Sequence, residues 1–264
     1  MKENDNSLVR MNNIVKSFGT VQALKGVNFE IYPKEIVGLI GDNAAGKSTL
    51  MKILVGAYDP DEGEIYIENK KVLIENPRIA RELGIGIIYQ DSGLIENACV
   101  DENIFLGDEP QKAIFGGIIK IVDRKKMREE SYRVLNMIKS TIESLRTEVQ
   151  YLSGGQQKTV AVGRAILRKY KLVIMDEPTA GLGVNEVMKL LNLVRQLKEQ
   201  GTSVIYITHR LEDLFAVVDR VVVLKGGTNA GERKIQDTTD EELIKLMVGT
   251  VDSNSIKKWR EISE

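Results

Sequence analysis

The stretch GDNAAGKST, residues 41–49, follows the apolar run IVGLI at 36–40 and precedes apolar residues at helical spacing, Leu50, Ile53 and Leu54. Glycines in such a loop let backbone N–H groups turn toward an anion, and a following helix N-terminus adds partial positive charge. The pattern Gly-x4-Gly-Lys-Ser between a strand and a helix predicts a loop that binds the phosphate chain of a nucleotide. A flexible turn is the competing interpretation.

Every residue of this loop is a candidate for nucleotide contact. Lys47 would reach the β and γ phosphates, Ser48 would ligate Mg²⁺ and Thr49 would add a phosphate contact. The candidate contacts in the loop are Gly41, Asp42, Asn43, Ala44, Ala45, Gly46, Lys47, Ser48 and Thr49.

Length and composition narrow the class of protein. The chain has 264 residues, enough for one large α/β domain or one domain with an inserted subdomain. Lys and Arg total 37 against 38 Asp and Glu, a formal net charge of −1, which argues against nucleic acid as the main partner. The single cysteine, Cys99, cannot form an internal disulfide. The polar N-terminus predicts no export signal, and the apolar window at 113–122 is too short to cross a bilayer.

The distribution of apolar residues predicts an α/β fold. Alternating segments at 27–31 and 65–68 predict an antiparallel β region on the N-terminal side. Short runs that are apolar on both faces predict strands of a buried, layered sheet. These runs lie at 36–40, 85–89, 172–175, 204–207 and 221–224. Helical patterns between them complete the prediction of a mixed sheet core.

Residues 92 to 151 break this rhythm and predict a mostly helical insert. Asp123 is a candidate N-cap, and Met127, Val134, Leu135, Ile138 and Ile142 follow at helical spacing. We therefore expect a single domain at 1–250, with a helical subdomain at about 92–165 and a charged tail at 251–264.

Two carboxylates end one of the predicted buried strands. Asp176 and Glu177 follow the run LVIM at 172–175, and open α/β sheets place ligands at the carboxyl ends of their strands. Asp176 could hold Mg²⁺, and Glu177 could orient the attacking water and accept its proton. Alone, this pair is as typical of a solvated strand end, but combined with the phosphate loop it indicates hydrolysis of a nucleotide.

A third segment, LSGGQ at 152–156, offers a second anion site at a helix start. Serine and glycines before a helical run are also typical of a simple turn and N-cap. Its position between the loop and the two carboxylates makes the pattern specific. The candidate nucleotide contacts here are Ser153, Gly154, Gly155 and Gln156.

These motifs together resemble the nucleotide-binding subunits of ATP-binding cassette (ABC) transporters, over nearly the whole chain. The resemblance implies a phosphate-loop NTPase cassette in which LSGGQ is the signature motif. It implies that Gln90 lies near Mg²⁺ and the water, that His209 contacts the γ-phosphate and that Phe18 stacks on adenine. The implied catalytic residues are Glu177, His209 and Gln90, and the implied metal ligands are Ser48, Gln90 and Asp176. A core position is the other interpretation of Phe18.

Two positions depart from the family pattern. Ala44 stands where a glycine is common, which we expect to be a mild change, because a methyl is tolerated where the backbone φ is negative. Gly183 stands where the family commonly has an aspartate, so no carboxylate is available there to couple two active sites.

The resemblance also implies partners. One chain's signature closes on ATP held by a second copy, in a head-to-tail two-fold dimer. The dimer is expected to dock on integral membrane permease subunits at the cytoplasmic face of the cell membrane, and to work indirectly with a solute-binding protein. Segments such as IIYQDSGLIENACVDENIFLG resemble monosaccharide importers most. The alternatives are a soluble ABC ATPase acting on DNA or ribosomes and a module that senses ATP without hydrolysing it.

Overall fold

The computed structural model describes residues 6–89, 93–114 and 119–249. These residues form two compact units. The first unit takes the described residues up to Ile87, then Tyr170–Glu177 and those from Leu197 onward. The second unit takes the described residues of Ile88–Lys169 and Pro178–Gln196. The predicted domain limits stay a prediction, and the tail at 251–264 lies outside the described residues.

Regular elements are numbered here in chain order. The strands are β1 Val9–Phe18, β2 Val21–Ile31, β3 Ile36–Ile40, β4 Glu62–Ile67, β5 Lys70–Val72, β6 Ile85–Ile88, β7 Gln111–Ile114, β8 Ile119–Val122, β9 Leu172–Asp176, β10 Ser203–Ile207, β11 Arg220–Lys225 and β12 Thr228–Lys234. The helices are α1 Lys47–Leu54, α2 Pro77–Glu82, α3 Val100–Phe105, α4 Arg124–Met137, α5 Gly154–Leu167, α6 Val184–Glu199, α7 Leu211–Val217 and α8 Asp240–Val248.

The first unit contains a mixed sheet of six strands in the order β12-β11-β3-β10-β9-β6. Strand β3 pairs in parallel with β10 and β11, β10 pairs in parallel with β9, and β12 is antiparallel to β11. All side chains of β3 and β10 are buried, as their continuous apolar sequences predict. Because β3, β9 and β10 run in the same direction, the segments that follow them leave the sheet at one edge.

A second, antiparallel sheet of four strands in the order β2-β1-β4-β5 belongs to the same unit. Strand β1 pairs with β2 on one side and β4 on the other, with register shifts in both pairings. The predicted N-terminal antiparallel region is confirmed. Side chains from this sheet and from the mixed sheet form one apolar cluster, which includes Met11, Phe29, Leu39 and Ile205.

The second unit is built on α3, α4 and α5. Helix α4 begins as predicted, because the Asp123 side chain accepts a hydrogen bond from the Lys126 backbone N–H at 3.2 Å. The helix ends at Met137, so the inclusion of Ile142 in the same helix was wrong. Gly163 of α5 faces α4, since a Cβ there would lie 3.4 Å from a methyl of Val134, an ordinary packing distance.

The predicted helical insert also contains two exposed strands. Strands β7 and β8 pair antiparallel, and Ile119, Ile121 and Val122 are well exposed. Neither strand is buried, so the expectation of buried strands does not apply to them, although the apolar window at 113–122 overlaps both. Across the three described segments, no helix is both long and apolar enough to span a membrane.

Candidate active site

The phosphate loop lies where the sequence predicts it, between β3 and α1. Gly41 has φ 151° and Gly46 has φ 101°. A Cβ at Gly46 would lie 2.6 Å from a methyl of Leu24, and one at Gly41 would overlap the Leu224 carbonyl oxygen. Both positions therefore require glycine, because a side chain would collide and the backbone is left-handed.

The expectation for Ala44 was wrong. Its φ is 66°, in the left-handed region, where a non-glycine residue costs roughly 1–2 kcal/mol. The side chain is exposed, so the methyl meets no packing obstacle. The strain is local to the loop, which bends sharply between Gly41 and Gly46.

Lys47 bonds to the loop's own backbone. Its Nζ donates to the carbonyl oxygens of Gly41 at 2.6 Å and Asp42 at 3.0 Å. Burial lowers the pKa of the Lys47 ammonium from its usual value, and the charges of Glu177, Asp176 and Asp42 act in the opposite direction. The side chain is thus a partly desolvated cation held against the loop.

The N-terminus of α1 is available to bind an anion. Its N-cap is the left-handed Gly46, which has no side chain, and the first turn contains no acidic residue. Within the described part of the chain, no side chain caps this helix. Backbone N–H groups of the first turn have no partner inside a helix, so this terminus is suited to an anion. Ser48 is exposed and Thr49 is half-buried beside it.

Asp176 is the last residue of β9 and is partly buried. Burial raises the pKa of its carboxyl, while the nearby Lys47 and Lys52 lower it. Desolvation destabilises the ionised form, so a cation placed beside Asp176 would be bound favourably.

Glu177 and His209 are brought together by two neighbouring parallel strands. Strands β9 and β10 are paired so that Asp176 lies opposite Ile207, and the Glu177 N–H donates to the Ile207 carbonyl at 2.9 Å. Glu177 Oε1 lies 2.9 Å from His209 Nδ1. Glu177 also has φ 47°, an uncommon conformation for a non-glycine residue that often marks functional sites.

The two oxygens of the Glu177 carboxylate differ. Oε1 is engaged by His209, whereas Oε2 is buried and has no hydrogen-bond partner among the described residues. A buried carboxylate oxygen without a protein donor is suited to accept a hydrogen bond from a water or a ligand. His209 is itself 55% exposed, so its ring is accessible from solvent.

Phe18, at the end of β1, is a surface residue. It is 43% exposed and packs edge-on against Tyr58, with ring centroids 5.2 Å apart. Lys16 and Lys52 lie over the Phe18 and Tyr58 rings at 5.7 Å and 5.3 Å. This exposure disagrees with a core position and leaves a ring face available for a flat ligand.

Gln90 lies outside the described residues, so its predicted role stays a prediction. The residue before it, Tyr89, accepts a hydrogen bond through its carbonyl oxygen from the buried Lys158 Nζ at 3.2 Å. Lys158 is in α5, two residues after the signature motif, and no sequence pattern marked it as part of the site.

The signature motif belongs to the second unit and begins α5. Ser153 and Gln156 form a capping box, in which the Ser153 Oγ accepts from the Gln156 N–H at 3.3 Å and Gln156 Oε1 accepts from the Ser153 N–H at 3.1 Å. Ser153 Oγ also donates to Glu186 Oε1 at 3.0 Å. A Cβ on Gly154 would lie 3.3 Å from a methyl of Leu182, and one on Gly155 would lie 2.9 Å from Glu186 Oε1.

The available donors fit Mg²⁺. Among the described residues, no three or more His, Cys, Asp and Glu side chains are grouped to hold a metal. Mg²⁺ needs no such group, because proteins usually bind it through one or two carboxylates together with substrate phosphates and water. The Asp176 carboxylate and the Ser48 hydroxyl supply oxygen ligands of this kind.

Comparison with known proteins now places the chain in a family. A family model described as ABC transporter matches residues 24–180, a range that includes the phosphate loop, the signature and Glu177. The chain belongs to the ABC transporter family. The fold is that of its ATP-binding cassettes.

Curated relatives within the ABC transporter family are named as sugar import proteins. A ribose import ATP-binding protein of Clostridium tetani is 43% identical over 252 residues, which cover 94% of this chain and 48% of the relative. A xylose/arabinose import ATP-binding protein of Sulfolobus acidocaldarius is 43% identical over 240 residues, 91% of this chain and 93% of the relative. The chain therefore spans about half the length of the ribose import proteins it matches.

Solved ABC cassettes share the architecture along nearly the whole chain. A nucleotide-free ATP-binding cassette from an ABC transporter has a TM-score of 0.79 and 29% identity, covering 95% of this chain and 98% of that one. A dimeric post-hydrolysis state of another cassette, bound to ADP and Pi, has a TM-score of 0.72 and 27% identity, covering 87% and 100%.

The structure brings some predicted residues of the ABC site together. The loop 41–49, Asp176, Glu177 and His209 all belong to the first unit, with Lys47 close enough to the two carboxylates for their charges to act on it. The signature belongs to the second unit. Glu186, which contacts the signature, was missed. Its position three residues after Gly183 could have identified it, because an acidic residue at the third position of a helix caps the helix start.

Proposed function

We propose that this chain is the ATP-hydrolysing subunit of an ABC sugar importer, working as a two-fold dimer docked on separate membrane permease subunits. The observation that carries the proposal is the Glu177 carboxylate at the end of β9. One oxygen contacts His209, and the other is buried without a hydrogen-bond partner among the described residues. A water held at that oxygen would be the nucleophile that attacks the γ-phosphate.

The first unit would bind ATP through the loop 41–49. The open N-terminus of α1 and the partly desolvated Lys47 favour a phosphate chain, because both supply positive charge where solvent is partly excluded. On binding, the Lys47 ammonium would exchange the carbonyls of Gly41 and Asp42 for phosphate oxygens. Phe18 would stack on the adenine with its exposed ring.

Ser48 and Asp176 would hold Mg²⁺, with Gln90 as a third predicted ligand. The bound cation would neutralise charge that develops on the phosphate oxygens. The raised pKa of Asp176 supports this assignment, because a cation relieves the cost of burying an ionised carboxylate.

Glu177 and His209 would have different roles in the hydrolysis of ATP. Glu177 Oε2 accepts the proton of the attacking water, since Oε1 is already bonded to the histidine. His209 Nδ1 donates to that carboxylate, which leaves Nε2 as the ring atom for a γ-phosphate contact. The left-handed backbone at Glu177 aims the carboxylate and is stabilised by the N–H bond to Ile207.

The second unit would act on the nucleotide of another copy. Ser153 and the backbone of Gly154, Gly155 and Gln156 offer donors at the start of α5. A head-to-tail dimer with two-fold symmetry would complete two equivalent sites. The similarity to a dimeric cassette bound to ADP and Pi supports this arrangement.

The sugar assignment rests on relatives. Ribose and xylose/arabinose import proteins are 43% identical to this chain. By this proposal the dimer lies at the cytoplasmic face of the cell membrane, held there by the permease, and works indirectly with a solute-binding protein. ATP binding closes the dimer, and hydrolysis releases it.

The catalytic proposal is tested with Glu177→Gln. We expect the rate of MgATP hydrolysis to fall by about 10²–10⁴-fold, because the general base is lost. The variant should still bind ATP and should form dimers that size-exclusion chromatography detects only with ATP present. A Glu177→Gln protein that is fully active and strictly monomeric would overturn the proposal.

The transport proposal is tested in cells. Replacing the native chain by Glu177→Gln should abolish uptake of the transported pentose and leave uptake of an unrelated amino acid unchanged. Purification of the native complex from membranes should recover permease subunits with this chain. Recovery on ribosomes or DNA instead would favour a soluble ABC ATPase.

A further inference from the structure

Glu186 contacts the signature motif directly. Its Oε1 accepts from Ser153 Oγ at 3.0 Å, and its Oε2 accepts from the Gly183 N–H at 3.3 Å. The Gly155 N–H is a further donor, and together these donors lower the pKa of the Glu186 carboxyl. All four residues belong to the second unit.

Helix capping alone does not explain this arrangement. As the third residue of α6, Glu186 would bond to Gly183 in any capping box. The bond to Ser153, which is 33 residues away, lies outside that motif. The tight approach at Gly155, where a Cβ would lie 2.9 Å from Glu186 Oε1, is also unrelated to capping.

The donors that Glu186 uses are suited to a phosphoryl group. A carboxylate oxygen and a phosphoryl oxygen are both anionic acceptors, and they compete for the same O–H and N–H groups. By the proposed function, Ser153 and Gly155 contact the nucleotide held by a second copy. They cannot serve both anions fully, so one must displace the other.

We propose that Glu186 is a positioning residue that accepts hydrogen bonds from the signature donors in place of a phosphoryl group. Its carboxylate releases these donors when the nucleoside triphosphate of a partner subunit binds. The proposal rests on the proposed function. A cavity of ≈ 50 Å³ beside the carboxylate, lined by Ser153, Gln156, Glu186, Lys189 and Leu193, gives it room to rotate. Lys189, whose charge already acts on Glu186, is the alternative partner.

Because the same carboxylate holds the Gly183 N–H, displacement also frees the segment at residue 183. Gly183 occupies the position at which the ABC family commonly has an aspartate. Glu186 thus couples phosphate binding at the signature to the release of the loop before α6.

The test uses Glu186→Gln in the Glu177→Gln background, where ATP-bound dimers persist. Analytical ultracentrifugation would measure the ATP concentration that gives half-maximal dimer at fixed protein concentration. We expect that concentration to fall by about fivefold, because the amide NH2 that replaces Oε1 cannot accept from Ser153 or Gly155 and the neutral amide does not repel phosphate. The amide oxygen still accepts from Gly183, so the helix cap is kept.

Glu102→Gln is the matched control. Glu102 is the third residue of α3 and accepts from the Cys99 N–H at 3.0 Å, so it caps a helix in the same unit without contacting the signature. This control should leave the ATP concentration unchanged. An unchanged or higher concentration for Glu186→Gln, with an unchanged control, would overturn the role of Glu186.

A kinetic readout separates this role from mere structural support. With Glu177 intact, Glu186→Gln should lower the KM for ATP about fivefold and change kcat less than twofold. A fall in kcat at constant KM would contradict the proposal. Failure of the Glu177→Gln parent itself to dimerise with ATP would instead overturn the proposed function, and with it the role of Glu186.

Discussion

Helices α1 and α5 both begin with glycine and a hydroxyl residue, yet their first turns are satisfied in opposite ways. Among the described residues, the start of α1 has a glycine N-cap and no capping side chain, and its first turn contains no acidic residue. The start of α5 has a complete capping box and a carboxylate bonded to its serine. The difference separates a terminus open to an external anion from one that holds an internal anion until a competitor arrives.

The largest expected effect concerns the open terminus. Lys47→Ala removes the cation beside α1, and we expect MgATP affinity to fall about 100-fold, since charge-assisted hydrogen bonds worth roughly 3 kcal/mol are lost. Isothermal titration calorimetry measures this, with exposed Lys70→Ala on β5 as the control. Equal weakening by both variants would show that net charge, and not the α1 site, governs binding.

A pair of serine variants compares the two helix starts directly. Ser153→Ala should lower the free energy of unfolding by about 1 kcal/mol, because it removes an N-cap. Ser48→Ala should leave stability unchanged, since Ser48 is exposed and lies within the first turn of α1. Urea unfolding of both variants without nucleotide measures the difference. Equal losses would mean that the two termini are capped alike.

Asp176→Asn tests whether the partly buried Asp176 carboxylate destabilises the folded state. Burial raises the native pKa of this carboxyl above its unfolded value, so the ionised form destabilises the fold. The variant should be more stable than the parent at neutral pH and should lose ATPase activity. The gain is full above the native pKa and disappears as pH falls below the unfolded pKa, because both states are then protonated. A gain that is independent of pH would contradict this cause.

The smallest expected effect is that of Ala44→Gly. Removing the methyl relieves the left-handed strain at φ 66°, but glycine adds entropy to the unfolded chain. We expect a net gain of roughly 0.5 kcal/mol in thermal unfolding experiments. Gly181→Ala, also at positive φ with no atom nearby, should lose stability and serves as the reverse control.

The sequence predicted most of the buried architecture. Strands β3, β6, β9, β10 and β11 were located within a few residues, because a strand buried on both faces must be apolar throughout. The pairing of β7 with β8 was not predicted, although the apolar window at 113–122 overlaps both strands, because that window was considered only for its length against a bilayer. Burial leaves a signal in composition, whereas an exposed strand pair depends on backbone pairing that many sequences allow.

The candidate site was predicted residue by residue but not in its contacts. The loop, Asp176 and Glu177 could be identified because they follow continuous apolar runs that predict buried strands. The φ of Ala44 could not, because it is set by the bend between Gly41 and Gly46 and not by alanine itself. Glu186 was missed because its partner Ser153 is distant in sequence, and local patterns do not report such pairs.

Strand β3 occupies an interior position of the mixed sheet, between β11 and β10. Its amides should exchange with deuterium only when the whole unit unfolds, while those of the exposed residues 42–44 should exchange within the native state. The step from slow to fast exchange would then fall within a few residues of Ile40. The loop can therefore change its conformation without loosening the sheet, and its attachment point at Ile40 stays fixed.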